Sequence, residues 1–180
     1  EKVAALGYAV LVADVFGQGK RTTREDPDAG RYMNELNADR ALLRDRMLGA
    51  HALLKDMPAV DAARTAAIGF CFGGGIANLL ATRLPDLKAA IPFYGSPPPL
   101  ADVPNIKAEL LIHYAGNDAR INATWPDYKA ALDKAGVRYQ AFVYDGVEHG
   151  FNNDTTPRFD KTAADLAWAR SLTLLRRSTR

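Results

Sequence analysis

One cysteine and three histidines among 180 residues leave little room for several kinds of chemistry. A lone cysteine cannot close an internal disulfide, so an oxidising compartment is neither needed nor indicated. The histidines lie too far from each other and from the cysteine for a structural zinc site, and no metal or other cofactor is expected. Long apolar runs are missing too: the stretch at 8–13 falls far short of the ~20 residues of a membrane span. So is a basic stripe. The formal charge is +2, from 23 Lys and Arg against 21 Asp and Glu, and only Arg176, Arg177 and Arg180 cluster. Nucleic acid and membrane are therefore not expected partners. The chain opens on Glu1 without a signal-peptide pattern, which gives a cytoplasmic expectation unless a signal lies upstream.

What is present is an ordinary globular composition, 48% apolar and 24% charged, at a length suited to one domain. Short β-rich apolar runs at 8–13, 65–70, 89–94, 109–114 and 139–144 read as strands buried on both faces. A polar loop is expected at 14–30. Helical spacing of apolar residues marks 37–56, 74–83, 125–134 and 160–175, the third stopped by Gly136. Strands alternating with helices predict an α/β fold with a mostly parallel sheet.

The informative segment is Gly69-Phe70-Cys71-Phe72-Gly73, where a strand runs into a helix through a glycine-bracketed cysteine. This is the pattern of a nucleophile elbow, in which a strained turn lifts the nucleophile above the sheet. Small flanking residues let the chain pass close to itself. A lone cysteine at a strand end is more often a small buried hydrophobe; the glycine bracket and the strand–turn–helix context favour the nucleophile. The helix N-terminus is expected to favour thiolate, and the Phe72 N–H to face a developing oxyanion.

Elbow enzymes place their triad in the chain order nucleophile, acid, histidine. Asp118 follows the strand at 109–114 in a Gly-Asn-Asp turn, and His149 lies in the loop after the last strand. Asp145 and Glu148 are nearer to His149 in sequence, but Asp145 reads as a turn former before Gly146, and a neighbour at i−1 points elsewhere. His149 would move the proton of Cys71, and Asp118 would fix the tautomer of His149. His113, inside an apolar strand, reads as a hydrogen-bonded core residue. Phe72, Tyr94, Trp125 and Phe151 either line a pocket above the elbow or pack in the core.

Taken together, Gly-Phe-Cys-Phe-Gly-Gly, His-Tyr-Ala-Gly-Asn-Asp and Glu-His-Gly-Phe-Asn-Asn-Asp resemble the dienelactone hydrolases (carboxymethylenebutenolidases) of the α/β-hydrolase superfamily. The resemblance runs from Leu6 to about Leu175 and implies Cys71 as nucleophile, Asp118 as triad acid and His149 as base. It implies hydrolysis of a small-molecule ester or lactone through a thioester. Two departures stand out. Gln18 and Asn153 occupy the positions of the family's carboxylate-binding arginines, so Gln18 joins Tyr94, Trp125 and Phe151 as expected substrate-binding residues, and a neutral substrate is at least as well suited as an anionic one. Arg21, Arg24 and Arg158 are near but out of register.

The family's further N-terminal strands, with the second oxyanion donor, have no counterpart in this sequence, so a single domain at 1–180, truncated at its N-terminus, is expected. A sheet missing a central strand leaves unpaired backbone, which a second copy of the chain (a homo-oligomer) could complement. Two alternatives accompany the ester or lactone hydrolase. One is acyl transfer or thioester hydrolysis on the same triad; the other is a catalytically incompetent fragment serving as a folding or association partner.

Overall fold

The structure, a computed structural model, describes residues 3–17 and 28–179. It separates into two compact units, Glu1–Ala62 and Ala63–Arg180.

In the first unit, helices α1 (Asp28–Ala38) and α2 (Arg40–Lys55) follow one another across Asp39, whose carboxylate caps α2 by accepting from Leu42 N–H at 2.8 Å. The start of α1 lies in the stretch read as loop. An apolar set at helical spacing, Tyr32, Met33 and Leu36, lies within the helix, and Arg31 bridges Asp28 and Glu35 one turn to either side (3.0 and 2.9 Å). Such pairs support a helix by a few tenths of a kcal/mol each.

The expected strand at 8–13 is not one: these residues pair with no strand, and Val12 is 87% exposed. A β-rich run becomes a strand only as a member of a ladder, and among the described residues this one has no partner. Of the five expected strands, four form.

The second unit carries them as one parallel sheet in the order β1 (Ala66–Phe70), β2 (Ala89–Phe93), β3 (Glu109–Ala115), β4 (Tyr139–Tyr144). Every residue of β2 and nearly every residue of β3 is buried, as unbroken apolar runs in a parallel sheet require. On one face Leu110, Ile112 and Tyr114 pack with Ala81 of α3 (Phe72–Arg83) and with Tyr128 and Leu132 of α5 (Trp125–Ala135). The Tyr128 hydroxyl donates to Asn78 of α3 at 3.1 Å and ties these two helices together. A single turn, α4 (Ala119–Asn122), precedes α5.

Helix α6 (Lys161–Ser178) covers the other face, with Trp168 against Phe93. There His113 is fully buried, 2.9 Å from the Tyr144 hydroxyl through Nδ1 and 3.0 Å from Ser171 Oγ through Nε2. Ser171 donates its own proton to the Ala167 carbonyl, so it accepts from Nε2–H, and Tyr144 donates to Nδ1. Burial, reinforced by the positive charge of Arg170, pulls His113 down to about 3. Among the described residues no helix is long and apolar enough to cross a membrane.

Candidate active site

Because all four strands run parallel, the segments leaving β1, β3 and β4 emerge at the same sheet edge, where open α/β sheets carry their ligand sites. Cys71, Asp118 and His149 follow those three strands.

Cys71 is the residue between β1 and α3, held at φ 54° and ψ −117°, a conformation costly for any side chain. Its N–H donates to the Phe93 carbonyl at 3.1 Å, and its carbonyl accepts from Gly74 and Gly75. A Cβ on Gly69 would lie 1.8 Å from the Gly73 carbonyl oxygen, so the strand must be bare where the helix begins. The second glycine of the bracket behaves differently from the sequence reading: a Cβ on Gly73 meets open space, and the tight position is Gly74, whose Cβ would lie 2.6 Å from the Phe93 oxygen. Helix α3 has no side-chain cap, and the Phe72 N–H has no acceptor among the described residues.

The cysteine is exposed to solvent but flanked closely enough that burial pushes its thiol up. Arg158 pulls it down, Asp118 pushes it up and Arg120 pulls it down more weakly. The expected resting preference for thiolate is thereby reversed: desolvation outweighs the nearby positive charge.

Asp118 and His149 are brought together by the continuation of the β3–β4 ladder. After the last register pair, Ala115 with Tyr144, Gly116 N–H still donates to Tyr144 (2.8 Å) and Asn117 N–H to Val147 (2.9 Å). A side chain on Gly116 would strike the Tyr144 oxygen at 2.8 Å, so only glycine lets the two exits lie this close. Asp118 then caps α4, one carboxylate oxygen accepting from Ile121 N–H at 3.2 Å, while the other lies 2.5 Å from His149 Nδ1. The carboxylate is buried and the imidazole partly exposed. With Nδ1–H given to Asp118, Nε2 of a neutral ring carries the free lone pair. Asp145 and Glu148 are both exposed.

The sequence profile of the dienelactone hydrolase family matches residues 1–179. The chain belongs to the dienelactone hydrolase family. Its sequence is 42% identical over 111 residues to a protein of Saccharolobus solfataricus provisionally named carboxymethylenebutenolidase, covering 61% of this chain and 43% of that one. A Synechocystis protein with the same provisional name is 30% identical over 184 residues, 93% of this chain and 74% of its own. The structure resembles a dienelactone hydrolase-like promiscuous phosphotriesterase from metagenomic libraries, with a TM-score of 0.88 and 26% identity over 99% of this chain and 78% of the other. The fold is that of the α/β-hydrolases.

Within this dienelactone hydrolase-family chain the remaining candidates fall in different places. Tyr94 and Phe151 are fully buried, with Tyr94 4.8 Å from the His149 ring and edge-on to Phe151 at 5.4 Å. Tyr94 backs the histidine, Phe151 packs behind Tyr94, and neither lines an open pocket. Trp125, at the start of α5, packs on Tyr114, Tyr128 and Tyr139, and none of its ring contacts is to Cys71, Asp118 or His149. Gln18, with Arg21 and Arg24, lies outside the described residues. Asn153 turns its side-chain oxygen back to Thr155.

Arg158, out of register in sequence, lies over Gly150, its guanidinium carbon 3.6 Å from where a Cβ would stand. Nothing in the sequence marks Arg158 or Arg120 as neighbours of the thiol, because the turns that carry them there have no periodicity to read.

Proposed function

We propose that the chain hydrolyses carboxylic esters or lactones through a Cys71–His149–Asp118 triad and a thioester acyl-enzyme. The observation that carries the reading is a pair of features at one sheet edge: Cys71 strained at a helix N-terminus after β1, and a His149–Asp118 pair drawn together at 2.5 Å after β4 and β3. Since burial holds the thiol protonated, a base is needed at the moment of attack. His149 Nε2 takes the thiol proton as sulfur adds to the substrate carbonyl, and the free Phe72 N–H faces the resulting oxyanion. The C–O bond then breaks, the alkoxide leaves with the proton from His149, and a thioester on Cys71 remains. Water attacks that thioester with His149 again as base, releasing the acid and restoring the thiol. Asp118 keeps the imidazole in the required tautomer and stabilises its charged form.

The test is a chromogenic aryl ester combined with intact-mass spectrometry after rapid acid quench. Turnover and a mass gain of one acyl group are expected in the unmodified protein, and neither in Cys71→Ala. Undiminished turnover by Cys71→Ala would overturn the reading.

A further inference from the structure

Among the described residues only two besides glycine hold a positive φ, Cys71 at 54° and Tyr94 at 39°. They occupy the same step of adjacent strands. Phe70 and Phe93 are the last register pair of β1 and β2, and the strained residue is the next one on each. For the cysteine the strain exposes a reactive group. For the tyrosine it does not, since Tyr94 is 1% exposed. A bulky residue in this region is strained and persists only where its surroundings over-determine it.

Those surroundings are specific. Tyr94 N–H donates to the His113 carbonyl at 2.7 Å, and the following Gly95 passes so close to α3 that a Cβ there would lie 2.3 Å from the Gly74 carbonyl carbon. The chain must therefore turn at Tyr94 to slip beneath the elbow helix. That turn aims the ring at His149, centroid to centroid 4.8 Å, with Phe151 behind it at 5.4 Å and Phe93 at 6.2 Å. Burial pushes the Tyr94 hydroxyl up, so it carries no charge, and it faces the backbone N–H of Asn152 in the segment beyond His149.

His149 needs such a support. It rides on a loop between two left-handed glycines, Gly146 at 76° and Gly150 at 93°, and Asp118 is its side chain's one hydrogen-bond partner among the described residues. One hydrogen bond fixes Nδ1 but lets the imidazole plane swing about it. We propose that Tyr94 is a positioning residue for His149: its ring sets the plane of the imidazole and hence the direction in which Nε2 presents its lone pair. The inference rests on the reading of His149 as the base for Cys71. It assigns Tyr94 a role different from substrate contact, one that the turn forced by the Gly95–α3 approach makes available.

Cys71 is the sole cysteine, so alkylation by iodoacetamide reports on it alone. Rates at neutral pH are compared for the unmodified protein, His149→Ala, Tyr94→Phe and Tyr94→Leu. Tyr94→Phe, which keeps the ring, should stay within about twofold of the unmodified rate. Tyr94→Leu, which loses it, should slow by about tenfold or more toward the rate of His149→Ala, since a misplaced catalytic group costs up to ~10²-fold. Rescue by phenylalanine separates ring positioning from loss of the hydroxyl. A slow His149→Ala beside an unslowed Tyr94→Leu would overturn the positioning role and leave the base assignment standing. Equal rates for His149→Ala and the unmodified protein would overturn the base assignment, and the role of Tyr94 with it. Circular dichroism checks that the leucine variant folds. If it does not, nuclear Overhauser contacts between the two rings in the unmodified protein decide: they are expected, and their absence overturns the inference.

Discussion

Gly69 and Gly73 face each other so closely that a methyl group on the first would stand 1.8 Å from the carbonyl oxygen of the second, whereas a methyl group on the second would touch nothing. The two glycines that bracket Cys71 are thus unequal. Gly69→Ala forces backbone apart in a packed region and should cost about 3 kcal/mol or more, at or beyond the usual range for overpacking. Gly73→Ala, in the first turn of α3, should leave stability unchanged or raise it by up to about 1 kcal/mol. Urea unfolding of both variants checks this, and equal destabilisation would refute it.

The Asp118 carboxylate has two duties on two oxygens, one to the α4 backbone and one to His149. Asp118→Asn keeps an oxygen for the Ile121 N–H, so the helix cap should survive. It cannot hold the imidazole in the same charge state, and kcat for an aryl ester should fall roughly 10²–10⁴-fold with little change in KM. A variant with near-normal kcat would remove Asp118 from the proposed triad.

Arg158 and Arg120 both pull the Cys71 thiol down against the larger effect of burial. Replacing Arg158 with alanine removes the stronger of the two, so the thiol should rise further and the alkylation-rate profile should move to higher pH. Arg120→Ala should move it in the same direction by less. A shift to lower pH in either variant would contradict the electrostatics.

His113 is neutral in the fold and titrates near 3, far below an unfolded histidine near 6.5. Its contribution to stability is therefore complete above about pH 6.5 and is lost as pH falls toward 3, because the unfolded chain takes up the proton first. The loss is of order 5 kcal/mol across that window. Urea unfolding at pH 7 and pH 4 should show a smaller acid penalty in His113→Gln than in the unmodified protein.

Residues that lie in regular elements were the legible ones. The unbroken apolar runs of β2 and β3 and the stripe of α6 are visible because burial on a sheet or helix imposes a period. The candidates Cys71, Asp118 and His149 could be picked out because each lies one, three or five residues past the end of a readable strand. Residues 8–13 misled, since composition resembles a strand whether or not a partner exists to pair with. The first turn of α1 is polar, and its apolar set of Tyr32, Met33 and Leu36 is too short to stand out from the polar stretch before it. Gly74, Gly95 and Gly116 carry the closest backbone approaches, yet only the fold shows which glycines those are. Arg158 and Tyr94 reach the site through turns, which leave no trace in spacing.

The Asp118–His149 contact depends on Gly116 and Asn117 prolonging the β3–β4 ladder beyond the strands themselves. Were β4 to settle one residue out of step, the histidine would arrive on the wrong side of its loop while the sheet still formed. On the proposed triad, catalytic competence is therefore a stringent reporter of correct assembly. During refolding, ellipticity should recover first and esterase activity afterwards, because the activity waits for a alignment that secondary structure alone does not guarantee.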